Sequence, residues 1–211
     1  MRTIFKLREP ASLTEFRPGG GSSFDDFPDK DALRRSLVKE QRGLCCYCLS
    51  RIRPVRGEMK IEHWLSQSGH AAEQLVYSNL MGACMGREGQ PSRDRHCDTR
   101  KGNRDLSRNP ANPLHRVEEF LRYGPDGTIR SDDPDFETEI NDVLNLNLPF
   151  SIRNRKATLD GFVGALAKRG ELPRRQLERW LAEWNGEAVD DELNEYCQVI
   201  VYWLKKRLAR A

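Results

Sequence analysis

Long apolar runs are missing from this chain. No stretch approaches the ~18 residues that a membrane-crossing helix requires, and the opening MRTIFKLREPASL has no apolar core of the secretory kind. The expectation is a cytoplasmic protein without a membrane partner. Internal repeats and long low-complexity tracts are also absent, so solenoids and extended disordered tails are not expected. Hydrophobic residues make up only 37% of the 211 positions and charged residues 32%, which implies a large wet surface around one core. Histidine is scarce, with four, and cysteine with six. In a reducing compartment, clustered cysteines point to metal or redox work rather than to disulfides.

What is present is unevenly spread. The net charge is only +3, but Arg87 to Arg108 carries seven basic residues against four acidic ones. Asp126 to Asp142 carries seven acids opposed by Arg130 alone, and Lys205, Lys206, Arg207 and Arg210 follow Trp203 without an acid. A basic centre permits phosphate binding, and an acidic strip suits a basic protein partner.

Three segments are expected. Residues 1–29 read as irregular, with Pro10, Pro18, Pro28 and the run Gly19 to Gly21, apart from a short strand at TIFKL. Residues 30–110 read as one domain. Its first helix starts behind Asp29 or Asp31, buries Leu33, Leu37 and Val38, and ends at Gly43. GEMKIEHW is expected to be a strand, in a hairpin with residues near Cys48 to Ile52, and YSNLMGAC a helical turn. CDTRKGNRDL has helical composition. Residues 111–211 read as mostly helical after a hairpin turn at YGPDGTI. Trp180 and Trp184 form a packing pair, and an apolar stripe runs through Asp190 to Arg210 with Cys197 in the core.

GLCCYC, residues 43 to 48, holds three cysteines in four positions. Cys45 and Cys48 have the bite of a zinc knuckle, and a tetrahedral site needs a second pair. Cys84 and Cys97 supply it, across a polar insert of twelve residues that can loop out. Cys46 has the wrong spacing and is left out, and His96 is a weaker alternative ligand. Between and just after these pairs lie Glu62, His63, Asn79 and Asp98. Phosphodiester cleavage at a single metal ion needs oxygen ligands, here Glu62 and Asp98, and a neutral imidazole to deprotonate water, here His63. Asn79 suits bracing of the loop.

The pattern C-x-Y-C, E-H, N-L, C and C-D-x-x-K-G-N resembles the HNH, or ββα-metal, endonucleases of the zinc-stapled type. EQRGLCCYC, IEHW, YSNL, HCDTRKGN, RYGPDGTI, LNLN and NRKATLDGF further resemble the PtuB nucleases, over roughly residues 30 to 165. The resemblance implies an α+β fold: a small ββα-metal core with a structural zinc, surrounded by helices and extended by a helical C-terminal region. It implies DNA cleavage in anti-phage defence beside a PtuA-like ATPase, with His63, Glu62, Asn79 and Asp98 as the catalytic set. Asp98 stands where many HNH enzymes carry a nitrogen ligand, which favours Mg²⁺ or Mn²⁺. Lys101, Arg95, Arg100 and Arg104 are expected to meet the nucleic-acid backbone. A non-catalytic zinc module and an RNA-cleaving toxin are the competing readings.

Overall fold

The computed structural model describes residues 1–17, 23–169, 173–187 and 192–210. Pro18, the Gly19 to Gly21 run and Asp190 lie outside the described residues. The protein is α+β, with two small antiparallel sheets among helices.

A short helix, α1 (Ala11–Phe16), lies in the N-terminal segment expected to be irregular, because Leu13 drops into a pocket lined by Phe27, Leu33 and Leu37. TIFKL is not a strand. Its backbone is satisfied piecemeal, with Ile4 N–H donating to Pro110 O at 2.8 Å and Leu7 N–H to Glu40 Oε2 at 3.2 Å. Helix α2 (Lys30–Glu40) begins as its sequence predicts. The Asp29 carboxylate accepts from Ala32 N–H at 3.1 Å, Asp31 sits in the first turn and Lys39 in the last. Leu33 and Leu37 are fully buried, each contributing about 1.5–3 kcal/mol.

Strands β1 (Met59–His63) and β2 (Leu80–Cys84) pair antiparallel, with Met59 opposite Cys84 and His63 opposite Leu80. The expected hairpin between β1 and Cys48–Ile52 does not form. That segment makes only a single bridge, Leu44 to Arg51, because Cys45 N–H and Ser50 O close a knuckle instead. YSNLMGAC is correspondingly not a helical turn throughout. One 3₁₀ turn, Tyr77–Asn79, runs directly into β2, whose Leu80, Met81 and Ala83 are fully buried. Gln41 pins this strand to the knuckle, its Nε2 donating to Leu44 O and Gly82 O and its Oε1 accepting from Gly82 N–H. Helix α3 (Cys97–Lys101) packs on β2 and is shorter than its composition suggests, since Gly102 turns the chain at φ 57°.

Strands β3 (Leu121–Tyr123) and β4 (Ile129–Ser131) form the hairpin expected at YGPDGTI. Helix α4 (Pro134–Thr138) is capped by Asp133, which also pairs with Arg108. The acidic strip therefore has internal duties: Glu137 accepts from Ser131 N–H and Glu139 from Ser107. One buried cluster joins Cys46, Tyr47, Met81 and Leu106 to Leu121, Phe136 and Leu144, on the far side of Pro110. Helices α5 (Pro149–Ala167), α6 (Arg174–Asn185) and α7 (Cys197–Leu208) complete the chain. Phe162 stands edge-on to Trp180, Trp184 and Trp203, at 6.1, 5.4 and 5.9 Å between ring centres, so both expected tryptophans pack between helices. Cys197 is buried against Leu44, Leu49 and Leu193, which ties α7 to the knuckle.

Candidate metal centre and adjoining cleft

The four thiols of Cys45, Cys48, Cys84 and Cys97 lie within 4.8 Å of one another. Cys45 and Cys97 are 3.9 Å apart at sulfur, and Cys48 and Cys84 are 3.7 Å apart. A tetrahedron with metal–sulfur bonds of ~2.3 Å has edges of about 3.8 Å. These separations are far too long for disulfides, and the cysteines are free. The cluster can therefore hold one ion such as zinc.

Local backbone explains the convergence. Leu49, just past the first pair, takes φ 64°, and its N–H returns to Cys45 O. Gly86 takes φ 55° after Cys84, and a Cβ there would lie 2.2 Å from His96 O, so only glycine fits. The twelve-residue insert closes on itself through His96 N–H to Gly86 O at 3.1 Å and Thr99 Oγ1 to Met85 O at 2.9 Å. His96 is not in the thiol cluster. Its Nδ1 lies 3.1 Å from Cys97 Sγ, beside a ligand atom rather than in place of one, and Ser50 Oγ lies 3.1 Å from Cys48 Sγ. Burial and the neighbouring Cys45 push the Cys46 thiol well up, so it stays protonated outside the cluster.

Beside this centre is a cleft of about 170 Å³ lined by Glu62, His63, Ser66, Asp98 and Asn103. Lys60 and Glu62 share the β1 face that meets α3, while Ile61 and His63 turn toward the cluster around Leu13 and Leu37. At the end of the strand Glu62 and His63 reach the same opening.

Glu62 is buried, and its Oε1 accepts from Tyr47 Oη at 2.7 Å and from Lys101 Nζ at 2.9 Å. Burial raises its carboxyl well above the usual range, and contact with the Asp98 carboxylate raises it further, against Lys101 and Tyr47. His63 Nε2 is 3.0 Å from Gln74 O. A carbonyl only accepts, so Nε2 holds the proton and Nδ1 is left as the basic nitrogen. Burial lowers this imidazole, which keeps it neutral near pH 7.

Asn79 faces the loop between β1 and β2 rather than the cleft. Its Oδ1 accepts from Leu65 N–H at 2.7 Å, and its Nδ2 donates to Leu65 O and Glu73 O at 3.1 and 3.0 Å. Glu73 precedes Gln74, so Asn79 holds the segment whose carbonyl orients His63.

Lys101 is not on the surface. It is buried, pairs with Glu62 and donates to His63 O at 2.9 Å, which withdraws it from any nucleic-acid contact. Arg95 and Arg100 are half-buried and Arg104 exposed. All three donate to backbone carbonyls, of Gln90, Ser92 and Asp142 among others, and none pairs with a carboxylate among the described residues. Sequence reasoning missed Tyr47 and Lys60. Lys60 pairs with Glu88 at 3.0 Å and Asp98 at 3.6 Å. The inward turn of Lys101 had a signal, since it lies three positions after Asp98 and so on the same helical face.

Among the described residues, no helix is long and apolar enough to cross a membrane. No known protein family matches the chain, and a search of curated proteins finds no relative.

Proposed function

We propose that this protein is a metal-dependent endonuclease of the HNH type, similar to PtuB, with a structural zinc at its four cysteines. The observation that carries the reading is the meeting of Glu62 and Asp98 beside a neutral histidine, on a β1–β2–α3 unit next to the thiol cluster. Two carboxyl groups in contact share either a proton or a cation. Hard oxygen donors in this number suit Mg²⁺ or Mn²⁺, which take one or two protein carboxylates and fill the remaining positions with water and phosphate. Lys60 has Glu88 as its closer partner, which leaves Asp98 available.

Glu62 and Asp98 would hold that ion, which when bound supplies charge stabilisation to the scissile phosphate and the departing oxygen. His63 Nδ1 takes a proton from water. The water oxygen bonds to phosphorus as the P–O3′ bond breaks, leaving a 5′-phosphate and, after protonation from solvent, a 3′-hydroxyl. Gln74 O and Asn79 keep the imidazole in its tautomer, and Lys101 fixes Glu62. The charge of Arg95, Arg100 and Arg104 supports backbone attraction of DNA. Resemblance to PtuB adds a PtuA-like ATPase as partner and phage defence as the setting.

Four thiolates would fill the coordination sphere of a zinc and leave no open position for water, so a zinc held there would be structural rather than catalytic. The test is incubation of purified protein with plasmid DNA and with RNA, in Mg²⁺, Mn²⁺ or EDTA. Metal-dependent DNA nicking supports the proposal. Cleavage of RNA alone makes it a ribonuclease of the same chemistry, and absence of cleavage of either, with the ATPase present, reduces it to a zinc module.

A further inference from the structure

A separate hollow of about 490 Å³ lies between β3, α5 and α7, well above the 170 Å³ of the cleft and of small-molecule size. Its aromatic lining is Tyr123, Tyr202 and Trp203, and Leu159 and Val163 add aliphatic walls. Tyr202 and Trp203 are half-buried, each with surface left to offer. Tyr123 and Tyr202 stand 5.8 Å apart at 59°, and Trp203 is held from behind by Phe162 at 5.9 Å.

The rim carries Lys206, Arg207 and Arg210, all exposed. Asp160 is the acid at this rim, and it is already paired with Lys156. None of the three rim cations has a carboxylate partner among the described residues; Lys206 instead lies over the Tyr202 ring, 5.5 Å from its centre. Cations in the last turn of a helix offset its negative end, which accounts for the helix position of Lys206 and Arg207, while Arg210 lies just beyond the helix. It does not account for their gathering on one hollow, since Lys205, from the same turn, does not line it.

We propose that this hollow binds a nucleoside phosphate, with the base stacked on Tyr202 and Trp203 and the phosphate held by Lys206, Arg207 and Arg210. Flat half-exposed rings beside cations that have no carboxylate partner among the described residues match a ligand that is aromatic at one end and anionic at the other. A free nucleotide and the 5′-phosphorylated end of a strand share that chemistry. The site is independent of the proposed cleavage chemistry.

The test is calorimetric titration of the full-length, zinc-loaded protein in magnesium-free buffer. The titrants are ATP, a 5′-phosphorylated oligothymidylate, its unphosphorylated twin and inorganic phosphate. Saturable 1:1 binding of ATP or of the phosphorylated strand is expected, and which of the two binds more tightly names the source. Lys206→Glu with Arg207→Glu should weaken it at least tenfold, and Lys205→Glu should change it less than twofold, with thermal unfolding confirming that both variants fold. Three results overturn the proposal: no saturable binding of either ligand, an equal loss with Lys205→Glu, or inorganic phosphate binding as tightly as ATP.

Discussion

Replacing Lys101 by methionine separates two accounts of this residue by magnitude. On the surface, against phosphate, its loss would leave folding untouched, weaken DNA binding evenly and lower the salt slope by about one. The structure instead buries its ammonium against Glu62 at 2.9 Å and the His63 carbonyl at 2.9 Å. Breaking a buried pair by removing one partner costs about 3–5 kcal/mol. The orphaned carbonyl adds about 1 kcal/mol, and the Tyr47 hydroxyl, still donating to Glu62, offsets a similar amount. Methionine fills nearly the same volume, so no cavity cost enters. The expected loss is therefore about 4 kcal/mol, a large share of the ~5–15 kcal/mol that holds a typical domain. Urea unfolding of zinc-loaded protein measures it, with metal content checked in parallel. Glu62→Gln added to Lys101→Met should cost less than the sum of the two single changes, with a coupling of roughly 2 kcal/mol or more. A loss below about 1 kcal/mol, or strict additivity in the cycle, refutes the buried pair.

His63→Ala should lower cleavage by about 10²–10⁴-fold while zinc content stays at wild-type level; nicking at the wild-type rate would remove His63 from the mechanism. His70 and His115 lie outside the cleft lining, and their alanine variants should keep near-normal turnover. Cys84→Ser should lose zinc and melt the protein well below the wild type, whereas Cys46→Ser should retain one zinc per chain by elemental analysis. Full zinc in the Cys84 variant would exclude that ligand set. Asn79→Ala removes three hydrogen bonds to the loop that orients His63, so it should cost roughly 2–3 kcal/mol of stability and lower turnover more than substrate affinity. A change in KM alone would show that Asn79 does not act through His63.

The thiol set was legible because its information is local. A two-residue gap between Cys45 and Cys48 fixes a knuckle, and Cys84 and Cys97 were, apart from Cys46, the cysteines remaining in the first two-thirds of the chain. The placement of Glu62, His63 and Asp98 at one opening was legible through resemblance and through residue chemistry, since a carboxylate and an imidazole beside a basic loop suit phosphate. Strand pairing was not legible, because β1 had two possible neighbours. The nearer one costs less loop entropy, but it is already committed to the knuckle, and Gln41 holds β2 in the vacant position through Gly82. TIFKL shows the same failure in reverse. Its residues are partly buried, as a strand's would be, yet among the described residues no ladder partner reaches them. Lys101 was misread for a different reason: composition reports a charge but not its direction. Its spacing from Asp98 puts both on one helical face, and what turns that face inward is the packing of α3 on β2. Once inward, an ammonium needs a carboxylate partner. Glu62 is that partner, and the same contact brings the lysine's other hydrogen bond to the backbone of His63.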